Sequence, residues 1–276
     1  MRYCRAMSMR THPPSPAGYP DAFVARVLED ALAHDAGVYG IAGLQGTGKS
    51  TLSAQVAELA AARGLRVVVM SIDDVYLDQP QRLALGRDVH PLLATRGPPG
   101  THDVPLACSV IDALRHGRAT PLPRFDKIAD RQLPRPDWPI AAGADLVLLE
   151  GWFLAVPAQA GAELELPINA LERDEDPHAV WRDYCNAALA RDYLSLWEVI
   201  DRMLFLQGPG FEVVPDWRWQ QEQTLQAANP GRQAMTRPQV ERFVQFFERV
   251  SRQALATLPT IADWIVPVDL QRRPQG

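Results

Sequence analysis

Hydrophobic residues along the chain fall into two kinds of run, and their alternation predicts an α/β fold. Apolar residues recur every three to four positions in 21–34, which is typical of an amphipathic helix. Short and almost wholly apolar runs occupy 38–42, 65–72 and 145–149, as in strands buried on both faces of a parallel sheet. Strands that alternate with helices predict a mainly parallel sheet with helices on both faces.

Capping signals add the remaining elements to this pattern. Gly64 and Gly117 stand where a helix ends, and Asp103 stands where one begins. Thr236 and Gln239 form a capping box, which opens a further helix. The predicted helices are 21–34, 49–63, 104–116, 179–197, 217–228 and 236–256, and the predicted strands are 38–42, 65–72, 145–149, 202–206 and 264–268.

Two long stretches, 78–101 and 120–139, carry no clear periodicity and are rich in proline and charge. Long irregular connections inside a compact domain are usually functional. We therefore expect the site for a small-molecule substrate in these stretches.

Length and charge limit the class of protein. At about 150 residues per domain, 276 residues allow one large domain or two small ones, and we expect a single domain over 21–276. The 28 basic and 33 acidic residues give a net charge of −5, with no long basic run, which argues against a nucleic-acid partner. Apolar runs fall far short of the roughly 18 residues of a membrane span, so we expect no membrane partner.

The first twenty residues contain three arginines and four prolines and lack the apolar segment of a signal peptide. We expect a loose N-terminal tail over 1–20. The three cysteines, Cys4, Cys108 and Cys185, are too widely spaced for a disulfide framework or a zinc site and suit a reducing cytosol. The expectation is a cytoplasmic monomer or homodimer.

The sharpest motif reads Gly-Leu-Gln-Gly-Thr-Gly-Lys-Ser over 43–50, between a predicted strand and a predicted helix. Its glycines let successive backbone N–H groups turn toward phosphate oxygens, and the helix start adds the positive end of its dipole. Lys49 is expected to reach the β- and γ-phosphates, and Ser50 to hold Mg²⁺. ATP and Mg²⁺ are thus the predicted cofactors, and the predicted ATP-binding residues are Gly43, Leu44, Gln45, Gly46, Thr47, Gly48, Lys49, Ser50 and Thr51.

Acidic residues stand at the ends of the next two strands. Asp73 and Asp74 end the second strand, and Glu150 follows the third. The carboxyl ends of parallel strands form the edge where ligands bind. Asp73 can there accept a proton from a substrate hydroxyl as it attacks the γ-phosphate, and Asp73, Glu150 and Ser50 are the candidate Mg²⁺ ligands. A turn cap by either aspartate, or an ion pair of Glu150, is the structural alternative.

These features resemble the kinases of small metabolites that include uridine kinase, phosphoribulokinase and pantothenate kinase. Further motifs are similar to glycerate 3-kinase of the plant and fungal type and its bacterial relatives, over about 37–257. The resemblance implies a P-loop nucleoside triphosphate hydrolase-type fold with a small lid, and transfer of the ATP γ-phosphate to a hydroxyl of D-glycerate. The motifs that carry it are Ser71–Leu77, Arg96–Asp103, Phe125–Lys127, Glu150–Phe153 and Trp217–Glu222.

The resemblance also implies roles for individual residues. Asp73 falls where these kinases place the general base, and Arg218, on the expected lid, would stabilise charge on the transferring phosphoryl group. A small hydroxy-acid substrate needs cations around its carboxylate. The candidate substrate residues are Asp74, Tyr76, Arg96, His102, Lys127 and Arg131. The segment 128–131 is shorter than the glycine-rich string usual in the family.

Two other functions remain open at this point. One is a kinase for another small alcohol, such as a pantothenate-like or nucleoside-like acceptor. The other is a nucleotide-switch ATPase without any small-molecule acceptor.

Overall fold

The structure is a computed structural model that describes residues 18–229, 231 and 234–275. Its strands are β1 (Val38–Gly43), β2 (Val67–Ser71), β3 (Thr120–Pro121), β4 (Phe125–Asp126), β5 (Arg131–Gln132), β6 (Ile140–Ala141), β7 (Leu146–Gly151), β8 (Arg202–Gln207) and β9 (Trp264–Pro267). Its α-helices are α1 (Asp21–Ala33), α2 (Lys49–Ala62), α3 (Gln79–Asp88), α4 (Val104–Arg115), α5 (Ala170–Glu175), α6 (Val180–Arg191), α7 (Leu194–Trp197), α8 (Val214–Ala228) and α9 (Arg237–Thr257).

Five strands form one sheet in the order β2-β7-β1-β8-β9, and all four pairings are parallel. Every residue of β1 and β7 is buried, as their continuous apolar runs predict. Ser71 is level with Glu150, and Ala42 is level with Gly151. The carboxyl ends of β1, β2 and β7 therefore lie at one edge of the sheet.

Helices cover both faces of the sheet, and two of the hydrophobic cores in the described part of the chain join them to it. One core joins the sheet to α1 and α2, through side chains such as Val27, Leu28 and Leu52. The other joins it to α4, α6, α7 and α9. The α/β fold class predicted from the hydropathy pattern is confirmed.

Helix α3 lies inside the stretch 78–101, for which the sequence analysis predicts no regular element, so that prediction is wrong here. A capping box of Asp78 and Gln81 opens the helix. Its apolar periodicity is weak because the fully buried side chain on it is Arg82. The guanidinium donates to the carbonyl oxygens of Leu77, Ala94 and Asp130 at 2.7–3.0 Å.

The single helix predicted over 179–197 is two helices, α6 and α7, separated at Asp192 and Tyr193. Tyr193 is fully buried, and its hydroxyl accepts a hydrogen bond from the Gly100 amide at 2.9 Å. The break thus places a buried hydroxyl against the loop that precedes α4.

Most of the predicted N-terminal tail, residues 1–17, lies outside the described residues. Of the described end of the predicted tail, 18–20, Tyr19 is buried against α1 and α2. In the described part of the chain, every helix is too short or too polar to cross a membrane.

Two ion pairs between α5 and α9 allow a matched test of what holds these helices together. Arg249 donates to both carboxylate oxygens of Glu172 at 2.6 and 2.8 Å, and the pair is buried. Arg242 and Glu175 join the same two helices at the exposed surface. We predict that Arg249→Met lowers the free energy of unfolding by about 3–5 kcal/mol, because it leaves Glu172 buried without its partner.

Arg242→Met should cost less than about 1 kcal/mol, since water screens the exposed pair. Urea unfolding of both variants measures the difference. Equal losses in the two variants would contradict the assignment of stability to the buried pair.

Candidate active site

The backbone of 43–50 turns from the end of β1 into the start of α2. Gly46 and Gly48 have φ angles of +85° and +95°, a region that residues with a Cβ rarely adopt. At Gly46 a Cβ would also lie 2.6 Å from the Cβ of Trp217. The conformation of a phosphate-binding loop is therefore built into this segment.

Two side chains, one from near each end of the described chain, donate hydrogen bonds to carbonyl oxygens of this loop. The Tyr19 hydroxyl donates to the Thr47 carbonyl at 2.6 Å, and Arg272 Nε donates to the Gly46 carbonyl at 2.6 Å. The Arg272 guanidinium also lies 5.0 Å above the ring of Trp217. Because the carbonyl oxygens of Gly46 and Thr47 accept these hydrogen bonds, the protein itself holds the loop in its conformation without a ligand.

Lys49 and Ser50 begin α2, and their side chains face the ends of the neighbouring strands. Lys49 is buried, and its Nζ donates to the Leu44 carbonyl at 3.0 Å. Burial lowers the pKa of Lys49, while the carboxylates of Glu150 and Asp73 act in the opposite direction. The Lys49 ammonium therefore lies in the electrostatic field of Asp73, the candidate base, and of Glu150, a candidate Mg²⁺ ligand.

The Ser50 hydroxyl donates to Glu150 Oε1 at 2.8 Å. A hydroxyl and a carboxylate oxygen beside a phosphate-binding loop fit Mg²⁺, which usually takes one or two protein oxygens together with substrate phosphates and water. Among the described residues, no group of three or more His, Cys, Asp or Glu side chains could hold a metal ion. Any Mg²⁺ here would thus depend on the nucleotide for most of its ligands.

Asp73 lies in a 3₁₀ turn, Ile72–Val75, that directly follows β2. Its carboxylate accepts a hydrogen bond from the Tyr76 hydroxyl at 2.6 Å and one from Lys127 Nζ at 2.5 Å. Both the Asp73 and Lys127 side chains retain partial exposure of 23%. The carboxylate is thus held in place and still open to a small molecule at the edge of the sheet.

Asp74, one residue later, has a different environment. Its carboxylate accepts from the Ser71 amide at 3.3 Å, which caps the turn, and pairs with Arg124 at 3.3 Å. Burial raises the pKa of Asp74 to about 6. Asp73 therefore faces Lys127 and Tyr76, whereas Asp74 stabilises the turn that carries both aspartates.

The motif over 96–103 packs against this turn. Gly97 and Gly100 have φ angles of +115° and +89°, and a Cβ on either would lie 2.5 Å from a ring atom of Phe247 or Tyr184. The Leu77 amide donates to the Thr101 carbonyl at 2.9 Å, beside the bridge that pairs Tyr76 with His102. The motif therefore fixes the segment that carries Asp73.

His102 is buried between the rings of Tyr76 and Phe153, and its Nδ1 lies 2.6 Å from the Tyr193 hydroxyl. Burial lowers the pKa of His102 to about 3. The imidazole is thus neutral at physiological pH and does not supply the positive charge that the sequence analysis expects there.

The remaining candidate cations lie on the second irregular stretch or face it. Arg96 pairs with Asp130 and donates to the Lys127 carbonyl at 3.1 Å. Arg131, in β5, is exposed. Arg82, which the sequence analysis does not single out, also pairs with Asp130, at 2.9 Å. Arg96 and Arg82 therefore shape the loop around Lys127.

Arg218 lies on α8, with its guanidinium 3.5 Å from the Glu222 carboxylate and 5.8 Å from the centre of the Phe243 ring. Its neighbour Trp217 is buried against the phosphate-binding loop and donates to the Leu270 carbonyl at 3.1 Å. Trp217 is thus a packing residue. A role of Arg218 at the transferring phosphoryl group stays a prediction.

The pKa of His102 leads to a test by pH. Because it is lower in the folded state, about 3, than the usual 6.5, the unfolded state binds an extra proton between these values. Stability from the neutral imidazole is complete above pH 6.5 and is lost as the pH falls toward 3. We predict that His102→Gln flattens this acid-side loss in urea unfolding series.

The exposed His116 supplies the control for this series. In His116→Gln the acid-side loss should persist as in the wild type. An unchanged slope in His102→Gln would show that His102 is not the buried group responsible.

Comparisons with known proteins place the chain among kinases. No protein-family model matches the sequence. The chain is 29% identical over 202 residues to an uncharacterized kinase of Schizosaccharomyces pombe, which covers 69% of this chain and 71% of that protein. It is 27% identical over 237 residues to the chloroplastic D-glycerate 3-kinase of Arabidopsis thaliana, which covers 80% of this chain and 48% of that protein, about half its length.

Among solved structures, the D-glycerate 3-kinase from Cryptococcus neoformans matches with a TM-score of 0.72 and 26% identity, over 93% of this chain and 96% of that chain. The resemblance derived from the motifs is therefore confirmed. The chain is similar in sequence and in structure to D-glycerate 3-kinases, and this similarity identifies it as a phosphotransferase with the α/β fold of those kinases.

Proposed function

We propose that this chain transfers the γ-phosphate of ATP to a hydroxyl of D-glycerate. One observation carries the proposal: the Asp73 carboxylate lies beside the phosphate-binding loop and is paired with Lys127, a cation on the second irregular stretch. A base and a cation side by side match an acceptor that has both a hydroxyl and a carboxylate. The similarity to proteins named D-glycerate 3-kinase supports glycerate as that acceptor.

In the proposed reaction, Asp73 takes the proton from the acceptor hydroxyl. The hydroxyl oxygen forms a bond to the γ-phosphorus, the bond from that phosphorus to the bridging oxygen breaks, and ADP leaves with the electron pair. Lys49 and the amides of 43–50 bind the phosphates throughout. Mg²⁺, which Ser50 and Glu150 would hold, supplies charge neutralisation on the phosphates when bound.

The acceptor carboxylate would be bound by Lys127, with Arg96 and Arg131 as further candidate cations. Arg218 would approach the phosphates by leaving Glu222, which makes α8 part of the proposed lid. Among the described residues Cys108 and Cys185 are free thiols, as in cytoplasmic proteins. We propose a cytoplasmic location, as a monomer or homodimer.

Acceptor-dependent ADP release tests the proposal. Purified protein with ATP and Mg²⁺ should release ADP rapidly with D-glycerate and slowly with glycerol, pantothenate or a nucleoside. Stimulation by another compound would keep the kinase and reassign its acceptor. A slow rate indifferent to every compound would contradict the proposal and favour a nucleotide switch.

Asp73→Asn tests the base. General-base catalysis contributes about 10²- to 10⁴-fold, so the variant should lose at least about a hundredfold in kcat. ATP affinity, measured by calorimetry, should change little, because the residues of 43–50 are untouched.

Asp74→Asn is the comparison, since the two acids are adjacent and differ in their partners. Asp74→Asn should lower the free energy of unfolding, and it should lower kcat much less than Asp73→Asn does. If Asp74→Asn loses the larger share of kcat and Asp73→Asn stays near normal, the base is Asp74.

A further inference from the structure

Both oxygens of the candidate base are engaged by donors. The Tyr76 hydroxyl donates to Asp73 Oδ1 at 2.6 Å, and Lys127 Nζ donates to Oδ2 at 2.5 Å. The ammonium neutralises the charge that would draw a proton from an attacking hydroxyl. A catalytic cycle therefore has to weaken the pair between Lys127 and Asp73.

The residue type at 127 is unusual for this chain. Of its 28 basic residues, only Lys49 and Lys127 are lysines, and both lie at the active site. A guanidinium binds carboxylates through a rigid, two-pronged fork, whereas an ammonium is a compact charge on a flexible stem that exchanges partners readily. Position 127 thus carries the cation suited to changing partners.

The backbone beneath Lys127 is fixed independently of its side chain. Arg96 donates to the Lys127 carbonyl at 3.1 Å. The Asp126 carboxylate accepts from the amides of Ile128 and Ala129 at 2.8 and 3.0 Å. The ammonium can therefore move by side-chain rotation alone, without any rearrangement of the loop.

We propose that Lys127 acts as a lock on Asp73 that the carboxylate of the acceptor opens. The lock rests on the proposed function and describes how the site responds when its substrate binds. When a hydroxy acid enters, its carboxylate draws the ammonium from Asp73 Oδ2, and the same carboxylate places the hydroxyl beside the released oxygen. Water has no carboxylate, so it leaves the lock closed and ATP is hydrolysed only slowly.

Removing the ammonium should slow transfer to D-glycerate at low glycerate concentration and speed up ATP hydrolysis without an acceptor. Lys127→Gln should raise the KM for D-glycerate about 10- to 100-fold, the effect of losing a hydrogen bond to a charged group. It should also raise ADP and phosphate release without acceptor about three- to fivefold, as expected for breaking a partly exposed ion pair. A cation that only bound phosphate would give a fall in both rates.

Lys127→Arg should keep acceptor-free release as low as in the wild type and still slow transfer to glycerate, because the fork holds Asp73 more firmly. Arg66→Gln is the matched control. It removes one cation from the exposed pair with Asp145, at the opposite end of β2 and β7, and should leave both rates unchanged. No rise of acceptor-free release in Lys127→Gln overturns the lock.

A second readout does not depend on turnover. With ¹⁵N-lysine labelling the protein has two Nζ groups, and Lys127→Gln assigns their NMR signals. In the presence of ADP and Mg²⁺, D-glycerate should shift the Lys127 signal, while glycerol at the same concentration should not. A Lys127 signal that ignores D-glycerate in an enzyme that phosphorylates it overturns the lock.

The lock and the proposed function can fail separately. If D-glycerate is not phosphorylated but Lys127→Gln raises acceptor-free hydrolysis, the acceptor is wrong and the lock stands. If D-glycerate is phosphorylated and acceptor-free hydrolysis does not rise, the lock is wrong and the function stands.

Discussion

Parallel strand pairing is the constraint on which this site depends. It places the ends of β1, β7 and β2 at one edge, with Ser71 level with Glu150 and Ala42 level with Gly151. The phosphate-binding loop, the Glu150 carboxylate and the turn with Asp73 are thereby within reach of one another. The Ser50–Glu150 hydrogen bond and the influence of Asp73 and Glu150 on Lys49 are consequences of this register.

The part of the site built on the sheet could be predicted from the sequence. A buried strand ends at a definable residue, so Gly43, Asp73 and Glu150 could be assigned to one edge from hydropathy alone. The glycine spacing of 43–50 likewise needs a backbone that only a few local conformations satisfy. Both rules depend on residues that are close together in sequence, so they predict these positions without reference to the rest of the chain.

The surroundings of those residues could not be predicted in the same way. Asp73 and Asp74 are identical in type and adjacent, yet one meets Lys127 and the other the Ser71 amide and Arg124. Their difference depends on contacts with residues some fifty positions away, which no local pattern encodes. His102 illustrates the same limit, because its neutral state follows from burial against Tyr193, 91 residues along the chain.

The hydropathy pattern does not predict helix α3 for a related reason, which is that its buried residue is an arginine that stabilises neighbouring segments. Arg82 donates to three carbonyl oxygens of irregular segments, and Arg249 donates to those of Glu163 and Leu166. Five N–H donors in a fixed plane let one buried arginine order several loop carbonyls at once. Where an arginine stabilises a connection in this way, a charged side chain is buried at a position where a hydropathy pattern requires an apolar one. Hydropathy therefore fails to predict regular elements such as α3 in these connections. Arginines thus supply the fixed contacts of these connections, whereas both lysines of the chain, Lys49 and Lys127, lie at the proposed active site, where a compact charge on a flexible stem can exchange partners.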